Sequence, residues 1–272
     1  MSDLFRLDDE IALVTGAFGK LGPMWTRALL EAGARVVGLD RPGQAPGEAF
    51  TELQKRFGGE RLQIVSADVR RRGDLRGALE FCRSTYGPPT VLVNNAGIDQ
   101  SPDQPGGGYR LEDIPLEVNR RVFEVNTLGL FLVAQVFGHS MVAEGRGSII
   151  NIGSLYASVA PDLRFYDHIQ SDPPFLKPPA YGASKAAVVN LSRYLATLWA
   201  PRGVRVNTLS PGGVLGGQDD AFKQKFCARV PLGRMATQED LRGPLLFLAS
   251  EASAYVTGTE LIVDGGIHRC GP

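Results

Sequence analysis

Apolar positions along the chain fall into two alternating kinds of run. Short, β-branched runs predict strands over Ile11–Thr15, Arg35–Leu39, Leu62–Ala67, Val91–Asn94, Ser148–Ile152, Val204–Leu209 and Glu260–Val263. Between them, apolar residues recur at helical spacing near Leu21–Ala32, Glu48–Phe57, Gly73–Tyr86, Leu116–Phe137, Tyr181–Trp199 and Gln238–Ala249. Strand and helix alternating in this way predict an α/β fold, a doubly wound parallel sheet with helices on both faces. The strand runs carry no polar alternation, which suits a sheet buried on both sides.

Neither an internal repeat nor an interdomain linker interrupts the pattern, so residues 1–272 are expected to form a single domain. Two connections are long, near residues 98–115 and 159–179. The first holds Pro102, Pro105 and Gly106-Gly107-Gly108; the second holds Pro161, Pro173-Pro174 and Pro178-Pro179. Both follow predicted strands, so both are expected at the carboxyl edge of the sheet, where such folds bind ligands.

Composition narrows the classes. Apolar residues make up 43% of the chain, enough for a large core, and 29 basic residues balance 29 acidic ones. Neither a nucleic-acid partner nor a membrane partner is expected, and no apolar run reads as long enough to span a bilayer. Arg70-Arg71-Arg72 reads as a solvated helix start. The first residues, Met1 to Arg6, lack a signal-peptide pattern. Cys82, Cys227 and Cys270 are widely spaced, so no metal site and no disulfide framework is expected, and a cytoplasmic location fits.

Candidate chemistry begins after the first strand. The turn Gly16, Ala17, Phe18, Gly19, Lys20, Leu21, Gly22 opens the first helix, where glycines let backbone approach a pyrophosphate and the helix N-terminus favours its charge. A tight turn without a ligand is the plainer reading. Asp40 ends the second strand. A carboxylate there can accept hydrogen bonds from adenosine ribose hydroxyls and would repel a 2′-phosphate, favouring NAD, although an ordinary Asp-Arg-Pro-Gly turn has the same sequence. Arg41 and Lys20 leave NADP possible. Asp68 and Val69 close the third strand, and Asn94, Asn95, Ala96 and Gly97 the fourth; both could pack against adenine and ribose. Tyr181 and Lys185 stand four apart on a predicted helix, so they share a face, and a nearby ammonium lowers a tyrosine pKa. That would make Tyr181 a proton donor and acceptor near neutral pH.

Taken in order, Thr15–Gly22, Asp68, Asn94–Gly97, Asn126, Ser154, Tyr181–Lys185, Pro211-Gly212 and the run Val256 to Gly266 resemble the short-chain dehydrogenase/reductase family, in its compact single-domain branch. The resemblance covers nearly the whole chain. It implies a Rossmann-like, seven-stranded sheet, a bound nicotinamide dinucleotide and a catalytic tetrad of Asn126, Ser154, Tyr181 and Lys185. Ser154 would hydrogen-bond the substrate oxygen, Tyr181 move its proton, and Lys185 lower the tyrosine pKa and bind the nicotinamide ribose. Asn126 would hold a water linking the lysine to solvent. It further implies cofactor contacts from Gly16, Phe18, Gly19, Lys20, Leu21, Asp40, Arg41, Asp68, Val69, Asn95, Ala96, Gly97, Pro211, Gly212 and Val214, and a homodimer or homotetramer.

The chain departs from that branch in three places. Lys20 stands where the middle glycine of the turn is usual. Ser154 and Tyr181 are further apart than usual. Val214 and its neighbours lack the threonine common after Pro211-Gly212. The longer insertion carries Arg164, Tyr166, Asp167, His168 and Lys177, groups suited to a polar, carbohydrate-like alcohol or ketone. His168 is the histidine expected near the substrate; His139 and His268 read as structural or surface residues. Two further readings stay open: a sugar-nucleotide epimerase or dehydratase that retains bound NAD, and a non-catalytic NAD-binding sensor.

Overall fold

The computed structural model describes residues 3–99 and 109–269. Pro102, Pro105, Gly106, Gly107 and Gly108 of the first insertion lie outside the described residues, as does Cys270. Seven parallel strands form one sheet in the order β3-β2-β1-β4-β5-β6-β7. They are β1 Ile11–Thr15, β2 Arg35–Asp40, β3 Leu62–Ser66, β4 Val91–Asn94, β5 Gly147–Ile152, β6 Val204–Pro211 and β7 Glu260–Val263. The order reverses between β1 and β4, and the crevice at that point opens at their carboxyl ends.

Alternate residues of each strand enter opposite faces, so one sheet builds two cores. Val14, Val36, Val93 and Ile150 pack under α1 (Gly22–Glu31) and α9 (Arg242–Ala249), beside the buried Trp25 and Leu245. Leu13, Val37, Leu92 and Ile149 pack on the other face with Leu75 of α3 (Arg72–Thr85), Phe137, and Leu195 of α7 (Pro179–Trp199). The nearly unbroken apolar runs of β1 and β4, buried along their whole length, have this cause. α2 is Glu48–Phe57, as the sequence predicts.

Three local outcomes differ from the sequence pattern. The helix expected near Leu116–Phe137 runs on to Glu144, as α4 (Leu116–Phe123), α5 (Leu130–Val133) and α6 (His139–Glu144) joined by π-helical turns at Glu124–Gly129 and Ala134–Gly138. At 29 residues this run is long and apolar enough by composition to cross a membrane, contrary to the expectation that no run is. It lies instead against α3 and α7 as a core helix, with Val133 and Phe137 fully buried. Second, α7 starts two residues before Tyr181, because Pro179 at its first turn has no N–H to leave unsatisfied. Third, a helix not foreseen, α8 (Asp220–Arg229), is capped by Asp219, whose Oδ1 accepts the Phe222 N–H at 2.8 Å.

Candidate active site

A cleft of about 990 Å³ runs along the carboxyl edge of the sheet, from the turn after β1 to the start of α7. Its dinucleotide end is built by hydrogen bonds between strand ends. The Thr15 hydroxyl oxygen accepts the N–H groups of both Asn95 and Ala96 at 3.0 Å. Asn95 Nδ2 donates to the carbonyls of Thr15 and Gly16, each at 3.0 Å, and its Oδ1 accepts the Trp25 indole N–H at 2.9 Å. Asn95 therefore holds the glycine turn in place, with both amide protons committed. Gly16 adopts φ +64°, and a Cβ there would lie 2.9 Å from Ala96 Cα. Only glycine fits both the backbone conformation and the approach.

Asp40 joins the turn to β2. Its Oδ2 accepts the Phe18 N–H at 2.9 Å and its Oδ1 the Arg41 N–H at 2.8 Å. Phe18 itself turns away from the cleft and packs edge-on against Phe50, with centroids 4.8 Å apart. Arg70 binds both oxygens of Asp68, and this pairing holds the carboxyl below its ordinary range. Lys20 crosses to the segment after β6, donating to the Val214 carbonyl at 3.3 Å, and loss of hydration lowers its pKa. Gly19, Leu21, Arg41, Val69, Gly97, Pro211 and Gly212 line the same cleft.

These residues fit a pyrophosphate-linked dinucleotide. The N-cap of α1, Leu21, supplies no side chain to satisfy the helix's first N–H groups, which leaves them for an anion.

At the other end lie the expected catalytic groups. Ser154 follows β5. Its hydroxyl accepts the Tyr156 N–H at 3.2 Å, capping a short 3-10 turn, and it lies on the cleft with the Tyr181 phenol. Lys185 is 5% exposed, donates to the Ile152 carbonyl at 2.8 Å and sits 5.8 Å from the centre of the Tyr181 ring. Burial lowers the lysine to about 8. Burial also raises the Tyr181 phenol, reinforced by the negative charge of Asp99; the polar Ser154 hydroxyl opposes the rise. Lowering of this phenol by Lys185, as the helical spacing predicts, is thus not the net outcome in the protein: desolvation dominates.

Asn126 sits on the first π turn, fully buried and off the cleft wall. Its Oδ1 accepts the Ile98 N–H at 2.8 Å, while Nδ2 donates to the Ile98 carbonyl at 3.0 Å and to the Ser184 hydroxyl at 3.1 Å. Ser184 in turn donates to the Tyr181 carbonyl at 2.7 Å. Both amide protons are engaged by protein, so this side chain ties the segment after β4 to the helix that carries Tyr181 and Lys185.

Over nearly its full length the chain is similar to known proteins. The family model described as enoyl-(acyl carrier protein) reductase matches residues 16–268. The galactitol 2-dehydrogenase (L-tagatose-forming) of Cereibacter sphaeroides is 35% identical, with 97% of this chain and 96% of that protein covered. The chain belongs to the short-chain dehydrogenase/reductase family. Two solved members of the family have the same fold. A gluconate 5-dehydrogenase from Burkholderia cenocepacia, in complex with NADP and tartrate, is 33% identical, with a TM-score of 0.83 and 99% of each chain covered. A short-chain dehydrogenase from Leptospira borgpetersenii with bound NAD+ is 31% identical, with a TM-score of 0.84, 98% of this chain and 96% of that one covered. As a family member, the protein is an oxidoreductase that acts on CH–OH groups with a nicotinamide dinucleotide.

The second insertion reaches the site differently from expectation. His168 does not face the cleft: Nε2 lies 2.9 Å from Asp219 Oδ1 and Nδ1 3.2 Å from Lys225 Nζ. Arg164 pairs with Asp162, and Asp167 with Lys225. Phe165 and Tyr166 pack on Phe222 and Phe226 of α8, so insertion and helix form one wall. Sequence reasoning missed Asp99, Tyr156, Phe222, Phe226 and Met235 on the cleft. For Asp99 the signal was its place beside the Asn94–Gly97 strand end; for α8, the Asp219-Asp220 start of a helix.

Proposed function

We propose that the protein is an NAD-preferring dehydrogenase of a polar, carbohydrate-like secondary alcohol, with Tyr181 as general acid and base. The observation that carries this reading is the placing of Ser154 and Tyr181 together with the buried Lys185 on one wall of a cleft that fits a dinucleotide. The dinucleotide supplies the hydride acceptor. Ser154 and Tyr181 together bind the substrate oxygen, and Tyr181 takes the hydroxyl proton as the ketone forms. Lys185 supplies the positive charge that opposes desolvation of the phenolate and binds the nicotinamide ribose. Asn126 positions both through Ser184 and Ile98. Asp40, at the end of β2, favours unphosphorylated ribose, and the galactitol-oxidising relative supports a polyol.

β7 is an edge strand of the sheet, and we read it as adjoining the contact of a homodimer or homotetramer, which light scattering of the purified protein checks. The free thiols of Cys82 and Cys227 suit a reducing cytoplasm.

The test is formation of reduced dinucleotide from a panel of polyols, sugar acids and nucleotide sugars, with NAD and NADP in parallel. Net reduction with a free polyol separates a dehydrogenase from an epimerase that recycles its cofactor and from a sensor. Tyr181→Phe is expected to lose turnover by about 10²–10⁴-fold while dinucleotide binding stays within a few-fold. Unchanged turnover refutes the tyrosine mechanism.

A further inference from the structure

Lys177 comes from the second insertion, and its side chain is only 7% exposed. Its Nζ donates to Asp99 Oδ2 at 2.5 Å and lies 5.2 Å from the centre of the Tyr181 ring and 5.8 Å from that of Tyr156. It is thus closer to the Tyr181 ring than Lys185 is. Both Lys177 and Asp99 line the cleft where Ser154 and Tyr181 do.

An ammonium has three donors, and Asp99 takes one. Among the described residues no second acceptor binds Nζ, and no donor binds Asp99 Oδ1. Asp99 keeps 39% of its side chain exposed. The pair therefore offers donors and an acceptor side by side, next to the proposed proton-transfer group. Phe222, Phe226 and Met235 add apolar lining to the same cleft.

The geometry points to Asp99 and Lys177 as the clamp that selects the substrate, gripping hydroxyls on the carbons next to the reacting carbinol of a neutral polyol. A hydroxyl both donates and accepts, so it satisfies the carboxylate and the ammonium together. A sugar acid's carboxylate only accepts, and it would meet the charge of Asp99 at the point where Lys177 is already neutralised. Proton abstraction alone gives no reason for a carboxylate here, since the charge of Asp99 raises the Tyr181 phenol and works against phenolate. Recognition does give a reason. This inference rests on the dehydrogenase reading for its reacting carbon and narrows its substrate class from carbohydrate-like to uncharged polyhydroxy compounds.

The experiment compares wild type, Asp99→Asn and Lys177→Met with galactitol, gluconate and a simple secondary alcohol such as cyclohexanol. Two readouts are taken: dinucleotide reduction, and the thermal shift that each compound adds to the dinucleotide-loaded protein. Lys177→Met keeps the buried stem and removes the charge, so it covers the case in which Asp99→Asn leaves an unpaired ammonium and misfolds. Expected is a rise of about tenfold in KM for galactitol in each folded variant, the loss of one charge-assisted hydrogen bond to substrate, with the KM for cyclohexanol changed by less than about threefold; kcat shifts in parallel for both alcohols, because each variant also changes the charge beside Tyr181. Gluconate is expected to be poorer than galactitol in wild type. Equal rises in KM for galactitol and cyclohexanol overturn the inference, as does an unchanged galactitol KM or a wild-type preference for gluconate. If wild type oxidises nothing yet galactitol raises its melting temperature and the variants abolish that shift, the clamp stands and the dehydrogenase reading fails. If wild type oxidises cyclohexanol but neither oxidises nor is stabilised by galactitol, the clamp is refuted and the dehydrogenase reading stands.

Discussion

Lys185→Met is expected to stabilise the protein while abolishing its activity. Lys185 is 5% exposed, and among the described residues its ammonium has one hydrogen-bond acceptor, the Ile152 carbonyl at 2.8 Å. Burial carries its pKa from the ordinary 10.5 to about 8. At neutral pH it is charged both folded and unfolded, so the protein bears the whole desolvation penalty. The gap between those pKa values corresponds to about 3 kcal/mol. Methionine keeps the stem and removes the charge, but it leaves the Ile152 carbonyl without a donor, at a cost of about 1 kcal/mol. The net gain is about 2 kcal/mol, or about 5 °C in melting temperature for a domain of this size. The dependence on pH has a definite sign. Below about 8 the penalty is complete. As pH rises from about 8 towards 10.5, the folded protein sheds this proton before the unfolded chain does, so wild-type stability gains from this group. The advantage of the variant should therefore shrink across that window. Urea unfolding of both proteins at pH 7 and near pH 10 measures it. A variant less stable than wild type at pH 7, or a gap that does not narrow at alkaline pH, refutes the reasoning.

Other outcomes follow from the same geometry. Asp40→Ser removes the carboxylate at the end of β2 and should raise the NADP-to-NAD ratio of kcat/KM by about tenfold or more, read from steady-state kinetics with both dinucleotides. Because burial raises the Tyr181 phenol, and alcohol oxidation needs it deprotonated, kcat/KM for oxidation should climb with pH through the alkaline range, whereas ketone reduction should not. Asn126→Ala frees both backbone groups of Ile98 and should cost about 2–3 kcal/mol in urea unfolding, with kcat falling more than the KM for dinucleotide.

Much of the sheet was legible because its central strands are buried and carry apolar runs such as Ile11–Val14 and Val91–Val93, while the edge strands β3 and β7 are only part-buried; Ile11–Thr15, Val91–Asn94 and Glu260–Val263 have the expected bounds. Strand ends were less so, since Asp40 and Pro211 extend strands by polar or ring-bearing residues whose pairing depends on the neighbour. Helix α8 escaped because Asp220–Arg229 buries Phe226 in a small side core rather than a continuous stripe against the sheet. The glycine turn and the Tyr181–Lys185 pair were visible as local spacing. The balance between burial and charge at Tyr181 was not, because it sums groups from several elements, including Asp99 and Ser154. Lys177 and Asp99 are 78 positions apart, and no local pattern joins them.

The wall shared by the second insertion and α8 bears on any attempt to re-engineer specificity. Lys225 and Asp219 on one side hold Asp167 and His168 on the other, and Phe222 and Phe226 interleave with Phe165 and Tyr166. Grafting the insertion alone into a relative would strip it of the surface that shapes it. A chimera that exchanges residues 159–179 together with 219–230 moves a complete unit, and it is at that granularity that substrate preference should transfer between scaffolds.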